Sequence, residues 1–486
     1  MDPHALPVTD DADEVFHPER RPDPGSPGAR TLAFLVTVLI FSIVAGLQAL
    51  ASKGASTAPP TEAGERRLTP AAGSAIELSS KVQVAVSEWW GREVAAQLGD
   101  PGNEAKTPEE QIRAAIVRGE VFGPESALAR LEQIEEQLRA EAEEGSIEQE
   151  LLGDVEALRR VYAEGSRAIR GEEREGLLAR HGWFGELAIR WDAGEGDADR
   201  LAIVREGRRV VVVFLSVLTG VGGLALVGLT LLITLSVRAS AGQMPRRFEA
   251  PAPGGSVYLE MFALFLGAFL VVSILGDFLV SRLPLGKEGQ LAVKACLQWG
   301  LLGVAAWPLV RGSTWSQTRQ DLGLTRGAGV LKEIGCGVVG YLATLPALLL
   351  SFVVVVVLVM LLSDAEGGPR PHNPVVEQVS SGGMLSVVVF ASLAMVWAPI
   401  CEELVFRGAL YRHVRSRLAW PLCAGLTAVL FAFMHGYGPL FTPPLIVLGF
   451  AFAWMREWRG SLVASITMHA IHNSILMMLI VAMRGA

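Results

Sequence analysis

The chain contains a series of long apolar runs, and this feature restricts the folds that it can adopt. A helix that crosses a bilayer needs about 20 mostly apolar residues. Such a segment is helical because lipid offers no partner for backbone polar groups. About nine runs qualify, with the seventh and eighth shorter than the rest: residues 31–51, 210–237, 257–280, 291–310, 335–362, 384–406, 421–435, 444–455 and 462–483. The sequence therefore predicts an all-α, polytopic transmembrane helical bundle of about eight to nine spans.

The composition agrees with a membrane protein and excludes one large class of function. Hydrophobic residues make up 51% of the chain and charged residues 19%. The formal net charge is -8, and no Lys/Arg-rich run is interleaved with aromatic residues, so a nucleic-acid-binding surface is excluded. The four cysteines form no CxxC motif, so neither a disulfide framework nor a zinc knuckle is predicted. The composition alone predicts one partner, the lipid bilayer.

Arginine accumulates in every second loop, and this pattern predicts the orientation of the spans. Basic residues close to span ends are retained on the cytoplasmic side. The arginine-rich segments are the arm before Thr31, the links 238–247 and 311–326, the cluster 407–417, and the pair Arg456 and Arg459. One orientation places all of them on one side. The chain is therefore predicted to be a multi-pass protein of the cell (plasma or inner) membrane, with a cytoplasmic N-terminus.

The spans divide the chain into five predicted regions. They are a cytoplasmic arm (1–30), a transmembrane helix (31–52), an extracytoplasmic acidic helical region (53–207), a transmembrane helix with a cytoplasmic link (208–255) and a membrane domain (256–486).

The extracytoplasmic region carries signals for helix starts and for helix packing. Thr107 with Glu110, and Ser146 with Gln149, have the spacing of a capping box. Two apolar stripes follow helical spacing: Leu128, Leu131, Ile134 and Leu138, and then Leu151, Leu152, Val155 and Leu158. A helical hairpin or small bundle is predicted. We interpret it as a spacer or a substrate-gating domain rather than a catalytic one.

Polar residues inside apolar segments mark the candidate site, because a charge at mid-bilayer costs about 3 kcal/mol on insertion scales. Glu260, Asp277 and Lys294 lie close to span ends, where a structural role is favoured. Three polar groups recur in the last hundred residues. They are Glu402-Glu403-x-x-x-Arg407, then His435 in Phe431-x-x-x-His435, and then His469-x-x-x-Asn473, with His472 beside it.

Helical geometry suggests a chemical role for each group. Glu403 and Arg407 are four residues apart and can pair, whereas Glu402 points about 100° away from Glu403. Glu402 lacks that partner and suits general-base work alongside a histidine.

His469 and Asn473 share a helix face. They could stabilise an oxyanion, or they could bind a metal such as Zn²⁺ together with Glu402 and His435.

Each polar group also has a purely structural interpretation. The Glu403–Arg407 pair could be an interfacial salt bridge, and a lone intramembrane histidine such as His435 often makes an inter-helix hydrogen bond. Taken one at a time, these interpretations are favoured. Three such groups in consecutive apolar segments favour a site instead.

These three motifs, in this order on successive spans, resemble the CPBP family of intramembrane proteases. That family contains the CAAX prenyl endopeptidases and the bacterial bacteriocin-processing and immunity (ABI) proteins. The resemblance covers residues 384–483, and Asp321-Leu322-Gly323-Leu324 resembles an upstream feature less strongly. It implies that Glu402 and His435 activate water and that His469 and Asn473 form the oxyanion hole. Glu403 and Arg407 would then order the site.

The resemblance leaves the metal and the substrate open. Members of the family are described both as metalloproteases and as glutamate-type proteases, so it implies either Zn²⁺ or no metal. A membrane-associated peptide or protein substrate is implied, and a prenylated one only through the CAAX relatives.

Other protease chemistries lack their motifs in this chain. No histidine is followed by glutamate, so HExxH is absent, and no Gly-x-Ser-Gly occurs. Gly276-Asp277, in the third predicted span, lacks the glycine two residues earlier that an intramembrane Gly-x-Gly-Asp would need. The rival to an endopeptidase is a non-catalytic membrane scaffold or a bacteriocin-immunity type protein of the same fold. A transporter with a proton-coupled Glu/His site is a third alternative, but the hydropathy order shows no inverted repeat.

Overall fold

A computed structural model describes residues 21–57, 75–100, 105, 107–141, 146–194, 196–362 and 383–484. Every regular element in these ranges is helical, which confirms the predicted all-α fold. In chain order the helices are α1 (Pro27–Thr57), α2 (Ala75–Trp90), α3 (Arg92–Ala96), α4 (Pro108–Phe122), α5 (Pro124–Glu141), α6 (Ile147–Glu164), α7 (Glu172–His181), α8 (Trp183–Ala188), α9 (Ala198–Ser240), α10 (Val257–Val280), α11 (Lys287–Gly300), α12 (Trp307–Val310), α13 (Trp315–Leu322), α14 (Val330–Leu362), α15 (Met384–Arg415), α16 (Trp420–Phe433), α17 (Pro443–Arg459) and α18 (Val463–Arg484).

The chain divides into two compact units. We call Met1–Ser56 with Ala225–Met478 the membrane unit, and Thr57–Leu224 with Leu479–Ala486 the insertion unit. Helix α9 contributes residues to both.

The insertion unit has the helix starts and the core that its sequence predicts. Thr107 accepts a hydrogen bond from the Glu110 backbone N–H, and the Glu110 carboxylate accepts one from Thr107, so the capping box is present. Ser146 caps α6 by accepting from the backbone N–H of Gln149. Most residues of the two predicted stripes are fully buried in one hydrophobic core: Leu131, Ile134, Leu138, Leu151, Val155 and Leu158. Leu128 and Leu152 pack against it.

A buried ionic cluster joins α6 to the end of α7. The Arg180 guanidinium donates two hydrogen bonds of 2.6 Å to the Asp154 carboxylate, and His181 Nε2 lies 3.1 Å from Asp154 Oδ2. Burial raises the pKa of Asp154, but the hydrogen bonds from Arg180 and His181 outweigh it and hold this pKa below the ordinary value of 3.8. The folded insertion unit is therefore stabilised by an ionised Asp154.

The sign of this shift predicts how the cluster responds to acid. A carboxyl group with a lowered folded-state pKa stabilises the fold above its unfolded pKa, here near 3.8, and loses that effect as the pH falls through the folded value. We expect hydrogen–deuterium exchange of α6 and α7 in the full chain, corrected for intrinsic rates, to be faster in Asp154→Asn than in wild type at pH 6. The difference should shrink near pH 3.

The matched control is Asp199→Asn, which removes a carboxylate that pairs with Arg190 and has 72% of its side chain exposed. An exposed pair contributes little to stability, so this variant should exchange like wild type. Equal exchange of wild type and Asp154→Asn at pH 6 would contradict a stabilising role for the buried cluster.

Seven helices in the described ranges are long and apolar enough to cross a membrane. They are Pro27–Gly46, Ala198–Ser240, Val257–Val280, Lys287–Val310, Val330–Val359, Met384–Arg415 and Val463–Val481. The fourth consists of α11 and α12 joined by the 3-10 helical segment Leu301–Ala306. The other two predicted runs form α16 and α17, of 14 and 17 residues, which are not among these seven candidate spans. Gly436 and Gly438 adopt positive φ values of 71° and 76° between them, and prolines follow, so neither helix can continue through this link.

Helix α15 departs from regular α-helical winding at two places. Residues Leu393–Trp397 and Glu403–Leu410 are π-helical. All eight residues of the second segment are buried, including Glu403 and Arg407. Short π-helical segments inside α-helices often occur at functional sites, and this one begins immediately after Glu402.

The upstream motif Asp321-Leu322-Gly323-Leu324 lies at the end of α13 and links three parts of the membrane unit. The Tyr258 hydroxyl of α10 donates to Asp321 Oδ2 at 2.7 Å, and Arg412 of α15 pairs with Asp321 Oδ1 at 2.9 Å. Gly323 adopts a left-handed conformation (φ 80°), and its carbonyl accepts from the backbone N–H of Leu462 at 2.9 Å. The motif thus fixes the ends of the helices that carry the candidate site.

Candidate active site

The predicted site residues lie on three elements of the membrane unit. Helix α15 carries Glu402, Glu403 and Arg407, the residue His435 follows the end of α16, and α18 carries His469 and Asn473. Direct side-chain contacts join α15 to α18, and an aromatic ring of α16 contacts histidines at both His435 and His469.

The Glu403 carboxylate connects α15 to α18. Arg407 Nη1 donates to Glu403 Oε1 at 2.8 Å, as the four-residue spacing predicts, and both side chains are fully buried. His469 Nδ1 lies 3.2 Å from the same oxygen. Because a carboxylate paired with arginine can only accept, Nδ1 of His469 carries the proton in this contact. Glu403 therefore fixes the orientation of the His469 ring.

The Arg407 side chain is enclosed by groups that stabilise a buried cation. Its Nη2 donates to the Gly449 carbonyl at 3.0 Å. Its guanidinium carbon also lies 4.5 Å from the ring centre of Phe431 and 5.1 Å from that of Phe452. A guanidinium over an aromatic face is a favourable arrangement, and a buried charge needs such partners.

Glu402 has a different environment from its neighbour Glu403. Its side chain is 21% exposed, whereas that of Glu403 is fully buried. Its Oε2 atom is buried and makes no hydrogen bond within the described part of the chain. His469 Nε2 lies 3.9 Å from this oxygen, too far for a direct hydrogen bond. A water molecule beside both atoms could contact each of them.

In His435 one ring nitrogen, Nε2, is available to accept a proton or a hydrogen bond. Its Nδ1 lies 2.9 Å from the Phe431 carbonyl, and a carbonyl only accepts, so Nδ1 carries the proton and neutral Nε2 has a free lone pair. The His435 ring packs against Phe431 with ring centres 4.7 Å apart and stacks with Tyr437 at 6.2 Å. The ring centre of Phe431 also lies 5.9 Å from that of His469. The two histidines therefore contact the same aromatic ring.

Asn473 faces α15, as His469 does. Its Nδ2 donates to the Ala394 carbonyl at 2.8 Å, inside the first π-helical segment of α15. His472, one residue before Asn473, is turned toward α14 instead, where its Nδ1 lies 3.4 Å from the Tyr341 hydroxyl. The two histidines of α18 thus contact different helices.

Sequence reasoning included Phe431 in the Phe431-x-x-x-His435 motif but missed two other aromatic residues beside these polar groups. Phe452 stacks on His469 with ring centres 5.0 Å apart, and Tyr437 contacts His435 and lies within electrostatic reach of Glu402. From the sequence alone, an aromatic residue of the site within an apolar run cannot be distinguished from an aromatic residue of the core. The glycines on both sides of Tyr437 were the one hint, because they mark a sharp turn at the end of α16.

The arrangement of the candidate metal ligands Glu402, His435, His469 and Asn473 bears on whether a metal ion could bind here. Among the described residues no group of three or more His, Cys, Asp or Glu side chains is arranged to hold a metal ion. The Nδ1 contacts of His469 and His435 with a carboxylate and a carbonyl leave Nε2 available, as in many metal-binding histidines, whereas the Asn473 amide is bonded to the Ala394 carbonyl. A catalytic zinc site needs three protein ligands that converge on one point, and these side chains do not provide such a set.

A helical membrane unit with a buried carboxylate, two histidines and an amide defines a polytopic membrane protein with an enclosed polar site. Residues 384–475 match the family model for the type II CAAX prenyl endopeptidase, Rce1-like. This confirms the resemblance to the CPBP family over the segment that contains α15, α16, α17 and most of α18. Residues 384–475 are therefore similar to a CAAX protease-like domain. Comparisons with curated proteins and with solved structures found no match.

Proposed function

We propose that this protein is an intramembrane endopeptidase that hydrolyses a peptide bond of a membrane-associated substrate. The observation that carries the proposal is the buried, unbonded Glu402 oxygen facing His469 Nε2, inside the matched segment. A lone carboxylate beside a histidine is unfavourable for packing alone, because a buried polar atom without a partner lowers stability. It is the arrangement that activation of a water molecule requires.

Glu402 and His435 would activate the water. Glu402 Oε2 accepts one proton of the attacking water, and the free Nε2 of His435 is the second acceptor near this end of α16. The water oxygen attacks the scissile carbonyl carbon, and the proton taken by Glu402 then passes to the leaving amine. A positioned general base of this kind accelerates a reaction by about 10² to 10⁴-fold.

His469 and Asn473 would stabilise the oxyanion that forms on the substrate carbonyl. Both face α15, where the attacking water is held. His469 would donate through Nε2 as an imidazolium, with the Nε2 proton taken from solvent before the reaction and Nδ1–H held by the Glu403 carboxylate. Asn473 would donate through its remaining amide hydrogen, and both groups keep their protons throughout. Glu403 and Arg407 hold the His469 ring in place from the side opposite Glu402. They act as positioning residues.

The arginine pattern and the candidate spans support a membrane location and an orientation for this protein. We infer a multi-pass protein of the cell membrane with a cytoplasmic N-terminus, supported by seven candidate spans and by arginine in alternate links. In this orientation residues 53–207 are extracytoplasmic, and their role is substrate gating or spacing.

The function can be tested with the full chain in liposomes that contain membrane-anchored reporter peptides. One pair of peptides should carry a CAAX C-terminus with and without a prenyl group. This pair shows whether cleavage requires prenylation, and the other peptides show whether the protein cleaves peptides at all. Wild type is expected to cleave at least one peptide, and 1,10-phenanthroline should leave the rate unchanged. Binding of the peptides without any cleavage would favour the scaffold alternative.

A further inference from the structure

A long apolar groove lies on the membrane unit away from the candidate site. It has a volume of about 860 Å³ and is formed by α1, α10, α15 and α16. Residues at helical spacing along α1 form one wall, from Arg30 through Phe34, Val38 and Phe41 to Ala45. None of the proposed catalytic residues lines it. At 1.5 Å per residue this wall is about 22 Å long, which exceeds the roughly 15 Å of one bilayer leaflet core.

Two arginines converge at one end of the groove. Arg30 Nη1 and Arg417 Nη2 both donate to the Gly254 carbonyl, at 2.7 and 3.2 Å. Arg30 lies in the first turn of α1, and Arg417 lies just after the end of α15. Each arginine is therefore at the start or the end of a candidate span, where a lipid headgroup would lie.

Neither arginine has a carboxylate partner within the described ranges. No Asp or Glu in these ranges lies within ion-pair distance of Arg30 or Arg417. Asp23 interacts electrostatically with Arg417 at longer range, but it is hydrogen-bonded to Arg412. Arg417 otherwise bonds to neutral groups, the His413 ring and carbonyl and the Ser416 hydroxyl. Two guanidinium groups that share one carbonyl repel each other unless an anion lies between them. Within the described ranges Arg30 makes one side-chain hydrogen bond, to Gly254, which leaves N–H donors for such an anion.

We propose that this groove binds one anionic phospholipid, with an acyl chain along the α1 wall and the phosphate between Arg30 and Arg417. The apolar walls match an acyl chain, and the bidentate geometry of guanidinium groups matches phosphate oxygens. A neutral lipid or an uncharged protein segment would fill the apolar groove, but it would leave the two guanidinium charges uncompensated. The proposal does not depend on the proposed peptidase activity.

The test uses full-length protein in detergent and native mass spectrometry with dioleoyl phosphatidylglycerol against dioleoyl phosphatidylcholine. Wild type should retain the anionic lipid roughly tenfold or more over the neutral one, since each basic residue at a membrane surface contributes about fivefold. The double variant Arg30→Gln/Arg417→Gln should bind the two lipids about equally. The control Arg319→Gln/Arg326→Gln removes the same charge from two exposed arginines outside the groove and should keep the preference.

A second variant tests the apolar wall independently of charge. Leu426 lines the groove and is 44% exposed, so Leu426→Trp should narrow the groove without disturbing the core. It should reduce the amount of bound lipid for both headgroups. The proposal is overturned if wild type shows no headgroup preference, if the groove double variant keeps it, or if the control pair loses it equally. Displacement by inorganic phosphate alone would likewise overturn the lipid as occupant.

Discussion

Replacing Glu402 by glutamine is expected to reduce kcat/KM for peptide cleavage by about a thousandfold, within the range for loss of a general base. Glutamine has nearly the same shape and can still accept a hydrogen bond, but it cannot take a proton from water. Because Glu402 Oε2 makes no hydrogen bond in the described part of the chain, the substitution breaks no contact that holds the fold. The measurement is the initial cleavage rate in liposomes at matched protein amounts.

Asp277→Asn is the matched control for this prediction. Asp277 is also a carboxylate in a candidate span, but its side chain is 68% exposed and pairs with Lys294 on α11, away from the site. Its replacement should leave cleavage close to wild type. If Glu402→Gln retained more than about a tenth of wild-type activity while the control behaved as expected, Glu402 would not be the base.

The all-helical fold and most of the candidate spans could be predicted from the sequence, as could the presence of polar groups within apolar segments, because these features depend on local chemistry. Apolar runs of about 20 residues leave few alternatives to a helix, and polar groups within them stand out because lipid excludes them. The run 257–280 coincides with α10, and the pairing of Glu403 with Arg407 follows from residues four apart on one helix. The capping box at Thr107 is local in the same way.

The contacts between helices could not be predicted in this way. Nothing in the spacing of α18 shows that His469 Nδ1 meets Glu403, which is 66 residues earlier. The Phe431 ring, which contacts His435, His469 and Arg407, depends on three helices packing together. The π-helical winding after Glu402 also has no recognisable sequence signature, and the lengths of α16 and α17 depend on the turn between them.

His469→Ala is expected to cost roughly 2.7–4 kcal/mol of transition-state stabilisation, as removal of one oxyanion-hole donor does. His472→Ala should cost much less. The structure gives the physical reason, because His469 lies between Glu402 and Glu403, whereas His472 faces Tyr341 on α14. Both residues are buried histidines on one helix, so loss of volume or of helix stability should affect the two variants alike.

Comparing His469→Ala with His472→Ala therefore separates the loss of a catalytic group from the loss of side-chain packing, because both residues lie on α18. It requires kcat/KM for both variants at matched expression, with thermal stability measured in parallel to correct for folding. Asn473→Ala should resemble His469→Ala, since Asn473 contacts α15 on the same side of α18. Equal losses for the two histidine variants, or a larger loss for His472→Ala, would mean that the catalytic face of α18 is the one that contacts Tyr341.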